Sequence, residues 1–298
     1  MKGGCCFLME LGIYGQKAGL MWGEVEFKGS RHEGRQCSMA IDEYTLFTSK
    51  IKQLTGVDLS SYKERQMKRR IESQMNRRGF ESFLAYYDLL ATDRQALNEF
   101  LDRITINVSE FFRNAERWQV LEQKVIPELL QRNQTNNLKI WSAACSTGEE
   151  PYSLAMLLRG SFPSARFNIL ATDIDMGVMQ RAQAAVYSAA QAQQIPPQFR
   201  SQYIIEREGT FEIAPAIRNT IEFRPHNLLA DAFPRGLDLI VCRNVMIYFT
   251  DDIKDGLYRQ FAASLVPGGV LFVGSTEQIF RPREYGFQIF DSFFYQRL

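Results

Sequence analysis

The sequence predicts an α/β protein with a mostly parallel sheet, an all-helical N-terminal domain and a small antiparallel β insertion. From about residue 41 to residue 132, apolar residues recur at helical spacing. After residue 136, strand-like apolar runs alternate with helical ones, which indicates βαβ units and a parallel sheet. Between residues 199 and 223, short strand-like pieces and turn residues replace the helical pattern, and they favour an antiparallel insertion without a good helix.

The composition excludes several classes of protein. The 298 residues suffice for one large or two modest domains, and 45% hydrophobic with 23% charged residues is typical of globular proteins. A formal net charge of +1 predicts no bulk attraction to nucleic acid or to a membrane surface, and no apolar run is long enough to insert into a bilayer. Scattered cysteines without a CxxC pair, with only two histidines, argue against a metal site and favour a reducing cytoplasm.

The N-terminal stretch, residues 1–38, shows no sustained helical or strand period. We interpret it as an extension that is poorly ordered or forms a small local addition. A signal peptide is the alternative, but its apolar stretch would be short and Glu10 interrupts it. The expected organisation is this extension, a helical domain over residues 39–115, and an α/β domain over residues 116–298 with the insertion at about 199–224.

Helices are expected in a fixed order along the first half of the chain. The second carries Met67, Ile71 and Met75 on one stripe and ends at Gly79. A later, longer helix contains Pro127, which is expected to kink or break it. The five helical segments are IDEYTLFTSKIKQL, KERQMKRRIESQMNRR, FESFLAYYDLLATD, RQALNEFLDRIT and AERWQVLEQKVIPELLQR.

Strands are expected in the second half. An apolar and aromatic C-terminal stretch, FQIFDSFFYQRL, favours one or two edge strands, with an antiparallel pair as one arrangement. The strand-like runs before it are LKIWSAA, RFNILATD, TIEFRPHNL, LDLIVCRN and GGVLFVGST.

The turn after the first strand, WSAACSTGEEPYS, is the first candidate for a ligand site. Its small residues allow a ligand to approach the backbone, and Pro151 suits the first turn of a helix. Helix N-termini usually bind anions, but Glu149 and Glu150 would oppose a pyrophosphate and suit a cationic or hydroxyl-bearing ligand. Stabilisation of the first helical turn by the acidic side chains is the simpler alternative, and the turn alone does not decide between the two.

The second strand ends in Asp173 and Asp175, about twenty residues beyond that turn. An acidic residue at this place accepts hydrogen bonds from ribose hydroxyls, so we assign Asp173 to a ribose and Asp175 to the N-cap of the next helix. The expected ligand therefore has a ribose, a cationic part and no pyrophosphate. S-adenosylmethionine meets that description better than NAD, whose GxGxxG pattern is missing.

The later strands end in Asn227 and Asn244, where ligands lie in open α/β sheets. An asparagine offers both a donor and an acceptor, which suits an adenine edge or an amino-acid group. Arg243 and Tyr248 flank the second asparagine, although core packing is the simpler interpretation of the tyrosine alone. The segment ITINVSEFFRN says little by itself, since its polar residues fit a turn and its arginine fits a surface.

Together these segments resemble the chemotaxis receptor glutamate O-methyltransferase family, CheR. The resemblance spans roughly residues 41–298 and includes, in order, NVSEFFRN, WSAACSTGEEPYSLA, ATDID, HNLL, CRNVMIYF and PGGVLFVGSTE. It implies a doubly wound class I S-adenosylmethionine-dependent methyltransferase domain behind a helical domain. The implied reaction esterifies receptor glutamates in chemotaxis adaptation and releases S-adenosylhomocysteine. The implied partner is the cytoplasmic domain of methyl-accepting chemotaxis receptors, with no nucleic acid, and the enzyme is expected to be a cytoplasmic monomer.

The resemblance also implies residue roles. Arg113 and Tyr248 are assigned to catalysis at the active-site mouth, and either glutamate of GEEP could be the one that contacts the cofactor. The cofactor-binding residues it implies are Asn107, Ser109, Arg113, Glu149, Glu150, Asp173, Asn227, Leu228, Arg243 and Asn244.

A basic helix is the expected docking site for the receptor. Residues 63–78 carry seven basic side chains against two glutamates, and a solvated face is the usual reading of such a run. Because receptor methylation helices are rich in Glu and Gln, the resemblance favours docking through Arg65, Lys68, Arg69 and Arg70. Whether the insertion captures a receptor peptide stays open, as do a non-chemotaxis acceptor and an inactive cofactor-binding module.

Overall fold

The computed structural model describes residues 42–105, 107–133 and 135–298. The interpretation of residues 1–38 as an extension lies outside the described residues. Within those residues, none of the helices is long and apolar enough to cross a membrane.

Four helices form the first part of the structure, as expected. They share a core in which the rings of Phe47 and Phe100 lie 6.0 Å apart and those of Tyr86 and Phe100 lie 5.9 Å apart, both edge to face. The Asp93 carboxylate caps the last helix by accepting the N–H groups of Gln95 and Ala96. The helices are α1 (Glu43–Thr55), α2 (Glu64–Arg77), α3 (Phe83–Thr92) and α4 (Arg94–Ile104), and a 3₁₀ turn, Leu59–Ser61, precedes α2.

The long helix around Pro127 is accommodated by a local change of helix type. It begins as α5 (Ala115–Val120), widens into a π turn (Leu121–Val125) and continues as α6 (Ile126–Arg132). The N–H of Ile126 bonds to the carbonyl of Leu121, five residues back. Because proline lacks an N–H and its ring crowds the preceding turn, the widened turn lets the helix pass Pro127 without ending.

The main sheet has seven strands in the order β6-β2-β1-β7-β8-β10-β9. Strands β2, β1, β7 and β8 run parallel, β6 is parallel to β2, and β10 is antiparallel to β8 and β9. From β1 the chain adds β2 and then β6 on one side of the sheet. From β7 it adds β8 and then the β9–β10 pair on the other side. The direction in which strands are added therefore reverses between β1 and β7. The strands are β1 (Asn137–Ala143), β2 (Arg166–Asp173), β6 (Ile221–Pro225), β7 (Leu237–Cys242), β8 (Leu265–Val273), β9 (Phe287–Asp291) and β10 (Phe294–Arg297), and the helices beside them are α7 (Glu149–Ser161), α8 (Met176–Ala184) and α12 (Asp251–Ser264).

Both faces of this sheet are buried, which explains its continuous apolar strands. Successive strand residues point to opposite faces, so Ile140 joins one apolar core and Trp141 the other. Helices α5 to α7 cover the first face and α12 covers the second. The expected doubly wound α/β domain behind an all-helical one is therefore confirmed.

The insertion differs in detail from the prediction. Its antiparallel sheet, β3-β5-β4, includes a strand upstream of residue 199, and residues 221–225 belong to the main sheet. The prediction that the insertion has no good helix was wrong. Helix α10 (Pro197–Tyr203) starts at Pro197, a residue favoured in the first turn. It packs Phe199 against Gly160 of α7, where a Cβ would clash with the Phe199 ring. The elements are β3 (Val186–Tyr187), α9 (Ala189–Ala192), α10 (Pro197–Tyr203), β4 (Ile204–Arg207), β5 (Thr210–Ile213) and α11 (Pro215–Arg218).

Candidate cofactor and active site

A cavity opens at the carboxyl ends of β1, β2 and β7, where the strand order reverses. This is the place at which open α/β sheets bind ligands. It spans about 1000 Å³ of empty space, which includes the open solvent at its mouth. All the predicted cofactor and catalytic residues except Glu149 line it: Asn107, Ser109, Arg113, Glu150, Asp173, Asn227, Leu228, Arg243, Asn244 and Tyr248.

The turn after β1 is held close to the cavity by unusual backbone angles. Ala144 and Ser146 have φ values of 61° and 50°, and Gly148 has a φ of 94°. A Cβ on Gly148 would lie 2.9 Å from the Cβ of Ala182, so this position needs glycine for space as well as for conformation. The turn thereby presents Cys145 and Ser146 to the cavity.

Glu150 is the glutamate of this turn that faces the cavity. Its Oε1 accepts a hydrogen bond of 2.8 Å from the hydroxyl of Ser142, and its Oε2 lies 3.8 Å from Nη1 of Arg243. Burial raises the pKa of Glu150 to about 7, against the opposing effects of Arg243 and Ser142. The carboxyl group can therefore change its charge near neutral pH at the cavity wall.

Glu149, the other glutamate predicted as a cofactor contact, does not line the cavity. Its carboxylate accepts hydrogen bonds from the hydroxyl of Thr147, at 2.6 Å, and from the amide of Gln191 in the insertion, at 3.0 Å. Neighbouring residues of a helix project about 100° apart, and here Glu150 lines the cavity whereas Glu149 does not. Glu149 instead joins the first turn of α7 to the insertion.

Asp173 ends β2 at the cavity wall and is held by backbone amides. Its carboxylate accepts the N–H groups of Ser146, at 2.8 Å, and Asp175, at 3.0 Å. Burial raises the pKa of Asp173, while these amides act in the opposite direction. Asp175 accepts the N–H groups of Gly177 and Val178 at the start of α8, so its predicted N-cap role is confirmed.

Residues 107–113, between the helical part and the sheet, are held at the cavity by two hydrogen bonds. The amide of Asn107 donates to Oδ2 of Asp175 at 2.8 Å. The carbonyl of Arg113 accepts a hydrogen bond of 2.9 Å from the buried guanidinium of Arg243. Ser109 and the guanidinium of Arg113 line the cavity between these anchors.

The far wall carries Asn227, Leu228 and Asn244. The side-chain oxygen of Asn227 accepts the N–H of Leu229, which leaves its NH₂ group and a second lone pair on the oxygen for a ligand. Leu228 is buried and supplies an apolar surface. Asn244 has a φ of 60°, in the left-handed region, and it turns the chain towards Tyr248.

The predicted docking residues do not share one face of α2. Arg65 and Arg69 are exposed. Lys68 lies over the ring of Tyr44, with 5.3 Å between its Nζ and the ring centroid. Arg70 turns the other way, where its guanidinium lies 5.2 Å from the ring centroid of Tyr248 and donates to the carbonyl of Ile104. Of these four residues, Arg65 and Arg69 are the exposed ones, whereas Arg70 contacts Tyr248 of the cavity wall.

Two cavity residues, Tyr62 and His226, were not among the residues predicted from the sequence. Tyr62 comes from the helical part of the chain and packs on Phe249, with ring centroids 5.1 Å apart. His226 lies directly before Asn227, and burial lowers its pKa. The position of His226 at the end of a strand could have suggested it, whereas Tyr62 depends on packing between distant segments.

Two family models match the chain. The model described as "CheR methyltransferase, all-alpha domain" matches residues 42–105, and "CheR methyltransferase, SAM binding domain" matches residues 107–292. The cavity suits such a cofactor, because Asp173 can accept from ribose hydroxyls and the partly buried Glu150 can face a cation.

Curated relatives point the same way. The chain is 46% identical to a chemotaxis protein methyltransferase from Listeria innocua over 85% of this chain and 96% of that protein. It is 33% identical to chemotaxis protein methyltransferase 1 of Pseudomonas aeruginosa, over 81% of this chain and 92% of that protein. The corresponding Escherichia coli protein is 32% identical over 76% of this chain and 81% of its own length.

Proposed function

Because the chain belongs to the CheR methyltransferase family and uses S-adenosylmethionine, we propose that its acceptors are glutamate side chains of methyl-accepting chemotaxis receptors. The products would be glutamyl methyl esters and S-adenosylhomocysteine. In this proposal the protein acts as a monomer in the cytoplasm, on the cytoplasmic domain of the receptor.

The observation that carries the proposal is the meeting of a basic helix with the cavity at Tyr248. Arg70 of α2 lies against the Tyr248 ring, and Arg113 lines the same cavity. The N–H of Lys63, just before α2, donates to the carbonyl of Tyr248 at 2.9 Å. An acidic helix that docks on α2 would thus bring its carboxylates to the cationic mouth of the cofactor site.

The chemistry requires alignment rather than a general base. When bound, S-adenosylmethionine would supply a sulfonium methyl group. An acceptor carboxylate oxygen would attack the methyl carbon in line, and the S–CH₃ bond would break to release S-adenosylhomocysteine. A glutamate side chain has a pKa of about 4.3, so the acceptor is ionised at neutral pH. Arg113 can orient this carboxylate and the cavity walls can exclude water from it. Positioning of this kind contributes roughly 7–11 kcal/mol in favourable cases.

Tyr248 is suited to direct the acceptor without removing a proton from it. Burial raises the pKa of its phenol, while the nearby Arg70 acts in the opposite direction. The phenol therefore stays protonated at neutral pH and offers an O–H donor at the mouth. We assign it the role of placing the acceptor oxygen or the methyl group for in-line transfer.

Receptor docking is assigned to the exposed part of α2. Arg69 lines a shallow depression with Glu72, Ser73, Asn76 and Arg77, and Arg65 lies one helical turn before it. Opposite charge on the receptor helices would speed association and fix their orientation. Lys68 is not part of this surface, because its ammonium group lies over aromatic rings.

The test uses S-adenosylmethionine with a labelled methyl group and membranes that contain chemotaxis receptors. We expect label on the receptor band, and its release as methanol in mild base, as for a glutamyl ester. Membranes without receptors, and receptors whose methylated glutamates are replaced by alanine, are the controls. Base-stable label would assign another acceptor chemistry. Tight cofactor binding without any transfer would indicate an inactive cofactor-binding module.

A further inference from the structure

A buried carboxylate outside the predicted site, Glu277, holds the loop that carries five cavity residues, among them Asn244 and Tyr248. Only 4% of its surface is exposed. Its Oε2 accepts the N–H groups of Asn244 and Gly274, both at 2.7 Å, and its Oε1 accepts the N–H of Ile247 at 3.2 Å. One side chain thus binds three backbone amides, two of which belong to the loop between β7 and α12.

We propose that Glu277 is a positioning residue for methyl transfer, which fixes residues 244–248 so that Tyr248 faces the acceptor. The proposal rests on the proposed function, because Tyr248 has its role in that reaction. Glu277 itself does not line the cofactor cavity; it acts through the loop it holds.

The loop needs such support because little within it maintains its shape. Asn244 adopts a φ of 60°, which L-residues disfavour although asparagine tolerates it best. Tyr248 ends a 3₁₀ turn of three residues, Met246–Tyr248, and turns of this length are weakly stable alone. The Glu277 carboxylate accepts the N–H groups of Asn244 and Ile247 and so holds the loop at both positions.

The other side of the loop is fixed by the chain that leads into α2. The N–H of Lys63 donates to the carbonyl of Tyr248, and the N–H of Thr250 donates to the carbonyl of Ser61 at 3.1 Å. Tyr248 is therefore held between Glu277 and the segment before the basic helix. A change at either anchor should displace the phenol relative to the cavity.

Gly274 provides the space that this arrangement needs. A Cβ at this position would lie 2.9 Å from the amide nitrogen of Asn244 and closer still to the carboxylate of Glu277. Real Cβ atoms do not approach so closely, so Gly274→Ala must push the carboxylate or the loop away. That variant disturbs the same contact without changing charge.

The experiment is a double-mutant cycle on the turnover of receptor methylation, with Glu277→Gln and Tyr248→Phe. A glutamine presents an NH₂ group to at least one of the three N–H donors, so the loop should shift. We expect Glu277→Gln to lower kcat by about tenfold or more, with a smaller change in KM for the receptor. In the Tyr248→Phe background the same change should cost less than about threefold, because the group it positions is already missing.

Two further variants serve as controls for the cycle. Glu284→Gln makes the same chemical change at an exposed glutamate nearby and should leave kcat within about twofold. Gly274→Ala should reproduce the loss seen with Glu277→Gln. Independent effects that multiply in the double variant would overturn the proposal, since they would indicate general destabilisation.

A measurement on the unaltered protein covers the case in which Glu277→Gln does not fold. By NMR, the amides of Asn244 and Ile247 should exchange slowly with solvent, as expected for donors to a buried carboxylate. Exchange as fast as in open loops would overturn the proposal. If the unaltered protein places no base-labile methyl on receptors, the proposed function fails, while the exchange rates still test whether Glu277 holds the loop.

Discussion

The carboxylate of Glu150 lies 3.8 Å from the guanidinium of Arg243, and both side chains are almost fully buried beside the cofactor cavity. At that separation the pair is an electrostatic contact and not a hydrogen bond. Arg243 meanwhile donates to the carbonyl of Arg113. Glu150 therefore keeps capacity to accept from a cationic ligand group, since Ser142 supplies one hydrogen bond, to Oε1, and Arg243 does not bond to Oε2.

The first prediction separates the two glutamates of the GEEP turn. Glu150→Gln should weaken the affinity for S-adenosylmethionine by about tenfold, because a charge-assisted contact contributes about 1.5–3 kcal/mol. Glu149→Gln is the matched control and should change it by less than about threefold, since its carboxylate bonds to Thr147 and Gln191. Isothermal titration calorimetry measures both. A larger loss with Glu149→Gln would contradict the arrangement described above.

The second prediction concerns pH and follows from the pKa of about 7 that burial gives Glu150. Only the ionised carboxylate attracts a cation, so cofactor affinity should rise by about tenfold between pH 5.5 and pH 7. The range ends at pH 7 because the α-amino group of S-adenosylmethionine also loses its charge at higher pH; α-amino groups have a pKa of about 7.7–8.0. In Glu150→Gln the rise should be largely lost. An unchanged pH dependence in that variant would assign the effect to another group.

Ionisation of Glu150, which should strengthen cofactor binding, should destabilise the protein without cofactor. The folded state holds the pKa of Glu150 above its ordinary value of 4.5, so between 4.5 and about 7 the folded state binds more protons than the unfolded state. Its contribution to the free energy of unfolding therefore falls as pH rises through this window. Thermal unfolding of the protein and of Glu150→Gln, compared at pH 5 and pH 7.5, measures the difference.

The third prediction tests the assigned mouth of the active site. Arg113→Ala and Tyr248→Phe should each lower kcat for receptor methylation by about 10- to 100-fold, because both groups align the acceptor. Their affinity for S-adenosylhomocysteine should change far less than kcat. If both variants kept full turnover with normal cofactor binding, the mouth would be misplaced.

The fourth prediction concerns receptor docking by α2. Replacement of Arg65 and Arg69 together by alanine should raise KM for receptors several-fold and flatten its dependence on salt, since exposed charges are screened at high ionic strength. Lys68→Ala is the control on the same helix: it should affect thermal stability more than KM, because Lys68 packs over Tyr44 and Phe83. Docking that does not depend on salt would exclude an electrostatic surface.

The sequence predicted those parts of the site that follow from strand ends. Asp173, Asn227 and Asn244 each follow a strand of the parallel sheet, and the carboxyl ends of parallel strands meet at one edge. The orientation of adjacent helical residues does not follow from such spacing, so the sequence does not show which of Glu149 and Glu150 faces the cavity. In the structure Glu150 lines it, whereas Glu149 bonds to Thr147 and Gln191.

Residues brought in by tertiary packing were also beyond the sequence pattern. Tyr62 reaches the cavity only because its segment pairs with Phe249, and Glu277 acts through backbone amides about thirty residues earlier in the chain. Neither contact has a local periodicity or spacing that could reveal it. The strand β3 was missed for a related reason, since two residues are too short for an alternating pattern.

The fifth prediction concerns the glycine of the cofactor turn. Gly148 and Gly209 both have left-handed φ values, of 94° and 80°, so alanine at either position suffers a backbone penalty of about 1–2 kcal/mol. A Cβ on Gly148 would also lie 2.9 Å from Ala182 and 3.1 Å from Tyr152, whereas a Cβ on Gly209 meets nothing within 4 Å. The difference between the two variants therefore isolates the steric part.

We expect Gly148→Ala to lower the free energy of unfolding by about 1–3 kcal/mol more than Gly209→Ala, as for other cases of overpacking. Denaturant unfolding measures both values. Gly148→Ala should also weaken cofactor binding, because relief of the clash moves the turn that presents Ser146 and Glu150 to the cavity, while Gly209→Ala should leave binding unchanged. Equal losses of stability in the two variants would mean that the turn yields without strain, and that the close packing of Gly148 on α8 does not fix its position.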